Sequence, residues 1–162
     1  MVTWAEFQAA APDLAAEGRR LIYRGDHGEA LLATVRDDEP PRIHPISVGI
    51  VDDRLYAFIN RSPKRRDLAT DGRYALHTHQ DPAVPREFAV RGRANLVADA
   101  SVRSAVAAQW SFEADETYEL FEFSIESALL GLRDDPDEWP PRYTSWSAAA
   151  ALDLREEPRT DS

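Results

Sequence analysis

Three short apolar runs, residues 30–35, 43–51 and 55–59, follow one another with only "RDDEPPR" and "DDR" between them. Connections that short cannot carry a crossover helix, which parallel neighbours require, so the runs must pair antiparallel. Their Ile, Val, Leu, Tyr and Phe residues favour strands, and the Asp-Asp-Arg break reads as a tight turn. This stretch commits the chain to an antiparallel meander, and every other element has to fit round it.

The pattern continues downstream. A fourth strand is predicted over Tyr74–His79, followed by a loop marked by Pro82 and Pro85. Phe88, Val90, Ala94 and Leu96 alternate with Arg91, Arg93 and Asn95, the period-two mark of a half-buried strand. Phe121, Phe123 and Ile125 alternate with Glu122, Ser124 and Glu126 in a last long strand. Gly92, alone inside its strand, marks a bulge or a close backbone approach. Helices are inserted around these strands. Thr3-Trp-Ala-Glu6 has the capping-box form of a helix start. Pro12 breaks and restarts that helix, since proline fits a first helical position and not an interior one. Trp4, Phe7, Leu14, Leu21 and Ile22 form one apolar stripe, and Gly25 and Gly28 end the helical part. Ser101–Trp110 reads as a further helix. The sum is a mainly β, α+β fold built on a six-stranded antiparallel barrel.

At 162 residues the chain fits a single domain, set at 1–150, with residues 151–162 expected to form a disordered tail. Its 29 acidic residues against 19 basic ones argue against a nucleic-acid partner, whose binding rests on neutralising phosphates. The absence of cysteine excludes disulfides, thiolate metal sites and a cysteine nucleophile. No basic region leads into an apolar run at the N-terminus, and no apolar stretch approaches the about 18 residues of a membrane span. A soluble cytoplasmic protein without a membrane partner is expected.

Against that acidity, "NRSPKRRDL" at residues 60–68 sets Lys64, Arg65 and Arg66 side by side. Ser62-Pro63 is a favoured N-cap followed by a favoured first residue, opening a short helix that runs to about Thr70. Cations in a first turn oppose the helix dipole by roughly 0.3–1 kcal/mol each. A phosphate would offset them, because free amides, a hydroxyl and adjacent cations at a helix N-terminus form an anion site. Lys64 is also the only lysine in the chain. The alternative is a solvated face whose cations pair with Asp67 and Asp71.

Upstream, "RIHPISVGI" places a proline inside a strand, where it removes a ladder donor, so Pro45 belongs at an edge or a bulge. His44 and Ser47 bracket it with groups able to hydrogen-bond a ring or a ribityl chain. In His77-Thr78-His79 both imidazoles share one strand face, without an evident third metal ligand. One of them lines a ligand pocket and the other faces solvent; we assign the pocket to His77. Trp139, Tyr143 and Trp146 in the tail either cover a pocket or dimer seam, or pack on the domain itself.

Taken in order, "HPISVGIVDDRLYAF", "SPKRRDLATDGRYAL" and "FAVRGRANLV" resemble the pyridoxamine 5'-phosphate oxidase-like family of FMN-binding split β-barrels, over about residues 28–130. The resemblance implies a six-stranded split barrel that forms a homodimer with FMN in the groove between subunits. It implies that Lys64 and Ser62 hold the phosphate with help from Arg66, and that His44, Pro45, Ile46 and Ser47 lie along the isoalloxazine and ribityl. Ile59 and Asn60 would approach the flavin, and the second subunit would add a wall from the Trp110 region or the aromatic tail. The implied activity is a flavin-dependent oxidoreductase that transfers hydride to or from a small molecule, with chemistry supplied largely by the cofactor. The alternatives are a non-catalytic flavin or haem carrier or sensor, and a reductase using a deazaflavin. Two departures argue against vitamin B6 oxidation. Pro63-Lys64 stands where the true oxidases have Arg-Lys, and "DEWPPRYTSWSAAAALDL" lacks their substrate-holding segment. No general acid or base is marked; His77 is the candidate, because histidine as a residue type titrates nearest neutrality.

Overall fold

The computed structural model describes residues 1–81, 83 and 85–150. The expected disorder of 151–162 and the turn role of Pro82 lie outside the described residues. Helix α1 (Trp4–Ala10) opens on the capping box: the Glu6 amide donates to Thr3 Oγ1 at 3.3 Å, and the Thr3 amide donates to Glu6 Oε2 at 2.7 Å. Helix α2 (Pro12–Ile22) restarts on Pro12. The helical part ends at Tyr23, ahead of the glycines expected to stop it. Gly28 instead opens β1 (Gly28–Thr34), where a Cβ would sit 2.3 Å from the Val48 carbonyl oxygen.

The remaining strands are β2 (Arg42–Val51), β3 (Arg54–Ile59), β4 (Arg73–His77), β5 (Glu87–Leu96), β6 (Glu119–Leu132) and β7 (Arg142–Ser147). Helix α3 (Pro63–Thr70) joins β3 to β4, and α4 (Ala100–Ala107) joins β5 to β6. Every pairing is antiparallel, in the order β3-β2-β1-β4-β5-β6, and β3 pairs with β6 to close a six-stranded barrel. Asp52 and Asp53, both at positive φ, make the tight turn between β2 and β3. Gly92 marks a register shift against β6, and a Cβ there would lie 1.9 Å from the Ser124 carbonyl oxygen, so bulge and close approach coincide.

Three expectations are corrected. The aromatic tail contains a seventh strand, β7, which lies outside the barrel on β6. Its Trp146 packs on the domain itself, 5.0 Å from the Phe7 ring, while Trp139 and Tyr143 stay exposed. Strand β4 ends at His77, and α4 ends at Ala107, short of Trp110.

Alternation decides what is inside. Leu32, Ile46, Val48, Ile50, Leu55, Ile59, Leu76, Phe88, Val90, Phe121, Phe123 and Ile125 join Trp4, Phe7, Leu14, Leu21 and Ile22 in one continuous core. The opposite faces of β3 and β6 carry a second cluster under α4, including Tyr56, Phe58, Val106 and Leu120. No helix among the described residues is long and apolar enough to cross a membrane.

The barrel is unevenly stitched. β2 pairs with β1 over residues 42–48 but with β3 only over Gly49–Val51. Beyond Tyr56, β3 leaves β2 and runs along β6. The gap this opens is the split.

Candidate functional site

Helix α3 begins at the split. Ser62 takes the N-cap position in extended backbone, but its hydroxyl donates to the Asn60 carbonyl at 3.0 Å and caps no amide. Pro63 has no amide, so the first-turn N–H groups of Lys64 and Arg65 are left without a side-chain cap. Lys64 reaches across the split and donates from Nζ to the Pro45 carbonyl oxygen at 3.0 Å. Burial holds its pKa below the ordinary lysine value. Arg65 turns the other way, donating to the Thr117 carbonyl at 2.9 Å and lying 3.4 Å from Glu119. Arg66 is exposed.

The pairing of these cations with Asp67 and Asp71 does not form. Asp67 is fully buried and accepts from Thr34 Oγ1 and Arg42 Nη1, at 2.9 and 3.0 Å. Asp71 accepts from Arg73 Nε at 2.6 Å, and those bonds hold its pKa down at about 2.

Pro45 stands on the edge, as its missing donor requires. Its carbonyl accepts from Lys64 on the side of β2 that no strand of the described residues covers at this level. Beside it lies an open cavity of about 360 Å³, within the ~300–1,000 Å³ common for small-molecule sites. Of the residues singled out from the sequence, Pro45, Ile46, Ser47, Ile59, Asn60 and Lys64 line it. Ser62, Arg66, His44 and His77 do not.

Strand parity explains the two histidines. His44 falls on the inward side with Ile46 and Val48, and its Nε2 is buried without a hydrogen-bond partner among the described residues. Burial first, and then the Lys64 charge, hold its pKa below the usual histidine value. His77 faces outward on β4, its Nδ1 2.7 Å from the Thr78 carbonyl and its Nε2 3.3 Å from Glu87. The cavity histidine is His79, just past the end of β4, with Glu29 of β1 also on the rim. Among the described residues no three His, Cys, Asp or Glu side chains gather as a metal site.

The far wall is aromatic and comes from the same chain. Phe58, Phe112 and Tyr118 line it, with Phe112 5.4 Å from Tyr118 and Trp110 5.2 Å from Phe58. Gly49 admits this layer, since a Cβ there would meet the Trp110 ring at 2.6 Å. The connection after α4 carries no strand or helix period, so the sequence offered no signal for Phe112 or Tyr118. The site thus combines a cation and two uncapped amides at one end with a strand edge and aromatic rings beside them. That arrangement suits a flat ring system carrying an anionic tail.

No protein-family model matches the chain, and no curated protein matches it. Solved structures do share its fold. A protein from Clostridium acetobutylicum related to general stress protein 26, of the pyridoxinephosphate oxidase family, gives a TM-score of 0.61 at 12% identity, over 84% of this chain and 95% of its own. General Stress Protein 26 from Bacillus anthracis gives 0.55 at 19% identity, over 80% and 97%. These likenesses show the fold: the chain has the split β-barrel architecture of the pyridoxamine 5'-phosphate oxidase-like proteins. A heme binding protein from Mycobacterium smegmatis gives 0.61 at 16% identity, over 85% of this chain. This chain spans only 60% of that protein's length.

Proposed function

We propose that the cavity binds flavin mononucleotide and that the protein is a homodimeric, FMN-dependent oxidoreductase acting on a small molecule. One observation carries the reading. The only lysine of the chain sits partly buried beside an uncapped helix start, at the rim of a cavity with an aromatic wall. Among the described residues Lys64 has no carboxylate partner; desolvating such a cation is unfavourable, and a phosphate supplies the balancing charge.

The residues present fit such a group. Lys64 and the amides of Lys64 and Arg65 would hold the phosphate, and exposed Arg66 adds long-range attraction. Ser47 and Asn60 offer hydrogen bonds along a polar chain, while Ile46, Ile59 and the Phe58–Phe112–Tyr118 wall exclude water from a ring. Bound flavin supplies the hydride chemistry, and the protein's part is to orient it and limit solvent.

The outer sheet face supports a second copy. Register places Pro45, Leu31, His77, Ala89 and Leu129 in one row across β2, β1, β4, β5 and β6. Ile43, Ala33 and Ala75 form the next row, with Ile43 70% exposed. Ile43, Pro45 and Leu129 are exposed on this face, with half-buried Leu31, Ala33, Ala75 and Ala89 between them, and such apolar exposure supports association.

The deciding test is the visible spectrum of purified protein, with mass identification of what it releases on denaturation. A flavin spectrum and released FMN are expected, with reduction by a nicotinamide donor; a released deazaflavin would redirect the reading to that cofactor. Lys64→Ala that keeps full FMN affinity, or a monomer in sedimentation that still binds FMN, would sink the respective parts. A haem reading draws on one observation, the His79 imidazole at the cavity. A Soret band lost in His79→Ala is the result that would favour it.

A further inference from the structure

We infer that Asp67 is a positioning residue for this site: its buried carboxylate fixes α3 across the split and so sets where Lys64 meets an anion. The inference rests on the phosphate reading above. Helix α3 has eight residues and buries only two of them, Asp67 and Leu68. A helix so short takes its position from tertiary contacts, and one leucine gives it no fixed direction.

Asp67 gives that direction. Thr34 Oγ1 donates to it from β1 at 2.9 Å, and Arg42 Nη1 from β2 lies 3.0 Å from both of its oxygens. Arg36, in the loop joining those strands, stands 3.8 Å away. One carboxylate therefore ties the helix to β2, whose edge is open, and to β1 paired beside it. Burial pushes its pKa up, but the bonds from Thr34 and Arg42 and the two arginine charges outweigh this and keep it ionised. Arg42 is in turn held by Glu39.

The spacing links this tie to the ligand end. Lys64 precedes Asp67 by three residues, one turn along the same helix face. Their partners on β2, Pro45 and Arg42, are also three residues apart. The pairs Asp67–Arg42 and Lys64–Pro45 thus form two cross-ties over the part of β2 that has no ladder to β3. Releasing the first lets the helix shift and moves the second.

The test compares FMN with riboflavin, which lacks the phosphate, by fluorescence titration of the full chain. Asp67→Asn is expected to weaken FMN binding at least about tenfold while riboflavin binding stays constant. In a Lys64→Ala background the same substitution should have no further effect, because its influence runs through Lys64. Equal loss of both ligands, or additive losses with Lys64→Ala, overturns the inference. If Asp67→Asn fails to fold, Thr34→Val and Arg42→Lys loosen the same tie, and unchanged FMN affinity in both overturns it. Selective ¹⁵N labelling of lysine adds a readout that bulk stability would not move, since Lys64 gives the one side-chain ammonium signal. That signal should shift in Asp67→Asn and in Thr34→Val, which neither remove nor add a lysine. Wild-type protein that binds FMN no better than riboflavin defeats the phosphate reading itself, and shows it before any variant is made.

Discussion

The β5–β6 seam and the β2–β3 seam are built on opposite principles. Ten residues of β5 pair with β6, and the one irregularity, at Gly92, is packed against the β6 backbone at Ser124 and Glu126. Only three residues of β2 pair with β3. Along the first seam the backbone ladder sets position, and side chains are free to fill the core. Along the second the ladder stops, and side chains of α3 must set position. A strand edge without a partner exposes hydrogen-bonding groups, and it is there that the cavity, the lone lysine and the uncapped helix start converge.

That contrast is broken most severely on the closed side. Phe88 of β5 lies among Trp4, Phe7 and α2, with the Phe7 ring 6.5 Å away and Gly18 so close that a Cβ would meet its ring at 2.5 Å. Phe88→Ala should lower unfolding stability by about 3–5 kcal/mol, read by chemical denaturation. FMN affinity of the molecules still folded should not change. A comparable loss of affinity would show that the two seams are not independent.

The split side answers to ligand and pH before stability. Lys64→Ala should shift stability by no more than about 0.5 kcal/mol while removing about 1.5–3 kcal/mol of FMN binding, the range for a charge-assisted bond. The pH dependence follows from the lowered Lys64 pKa. Below it the ammonium is charged and affinity is level; as pH rises through it, at a value under 10.5, the ammonium is lost and affinity falls. Lys64→Arg should bind FMN with a flat profile over the same range, because a guanidinium does not titrate there. An alkaline fall that persists in Lys64→Arg would assign the titration to another group.

The same contrast explains what could be read from the sequence. The closed seams obey a two-residue period, so strands, bulge and core residues were legible from Phe88, Val90, Phe121 and Phe123 alone. The capping box at Thr3 and the restart at Pro12 were local chemistry and equally plain. At the split, local pattern still gave Pro45 and Lys64, because a proline in a strand and a lone lysine in a first turn are anomalies in themselves. His79 for His77 was not legible: it depends on where β4 stops, and the alternation continues in the sequence past that point. Nor was the role of Ser62, whose hydroxyl turns back to Asn60. Phe112 and Tyr118 sit in a connection without period and reach the cavity through Trp110 packing on Gly49. Asp67 read as a surface counter-charge, since nothing in its own segment reveals Thr34 and Arg42 as its partners.

Pro45→Ala is the smallest expected effect and the most direct probe of the open edge. In a paired strand, replacing proline restores a ladder donor and should stabilise the fold. On an edge without a partner the new amide meets only water, and no ladder bond is gained. What remains is the greater freedom of the unfolded chain, which lowers stability by about 0.4–1 kcal/mol. Thermal and chemical unfolding should therefore show a small loss, with the Lys64 bond to the carbonyl of residue 45 retained, since that acceptor is backbone. A gain in stability would mean that the new donor finds β3 and that the seam can close. In that case FMN affinity should fall as well, because the cavity would lose the edge on which it is built.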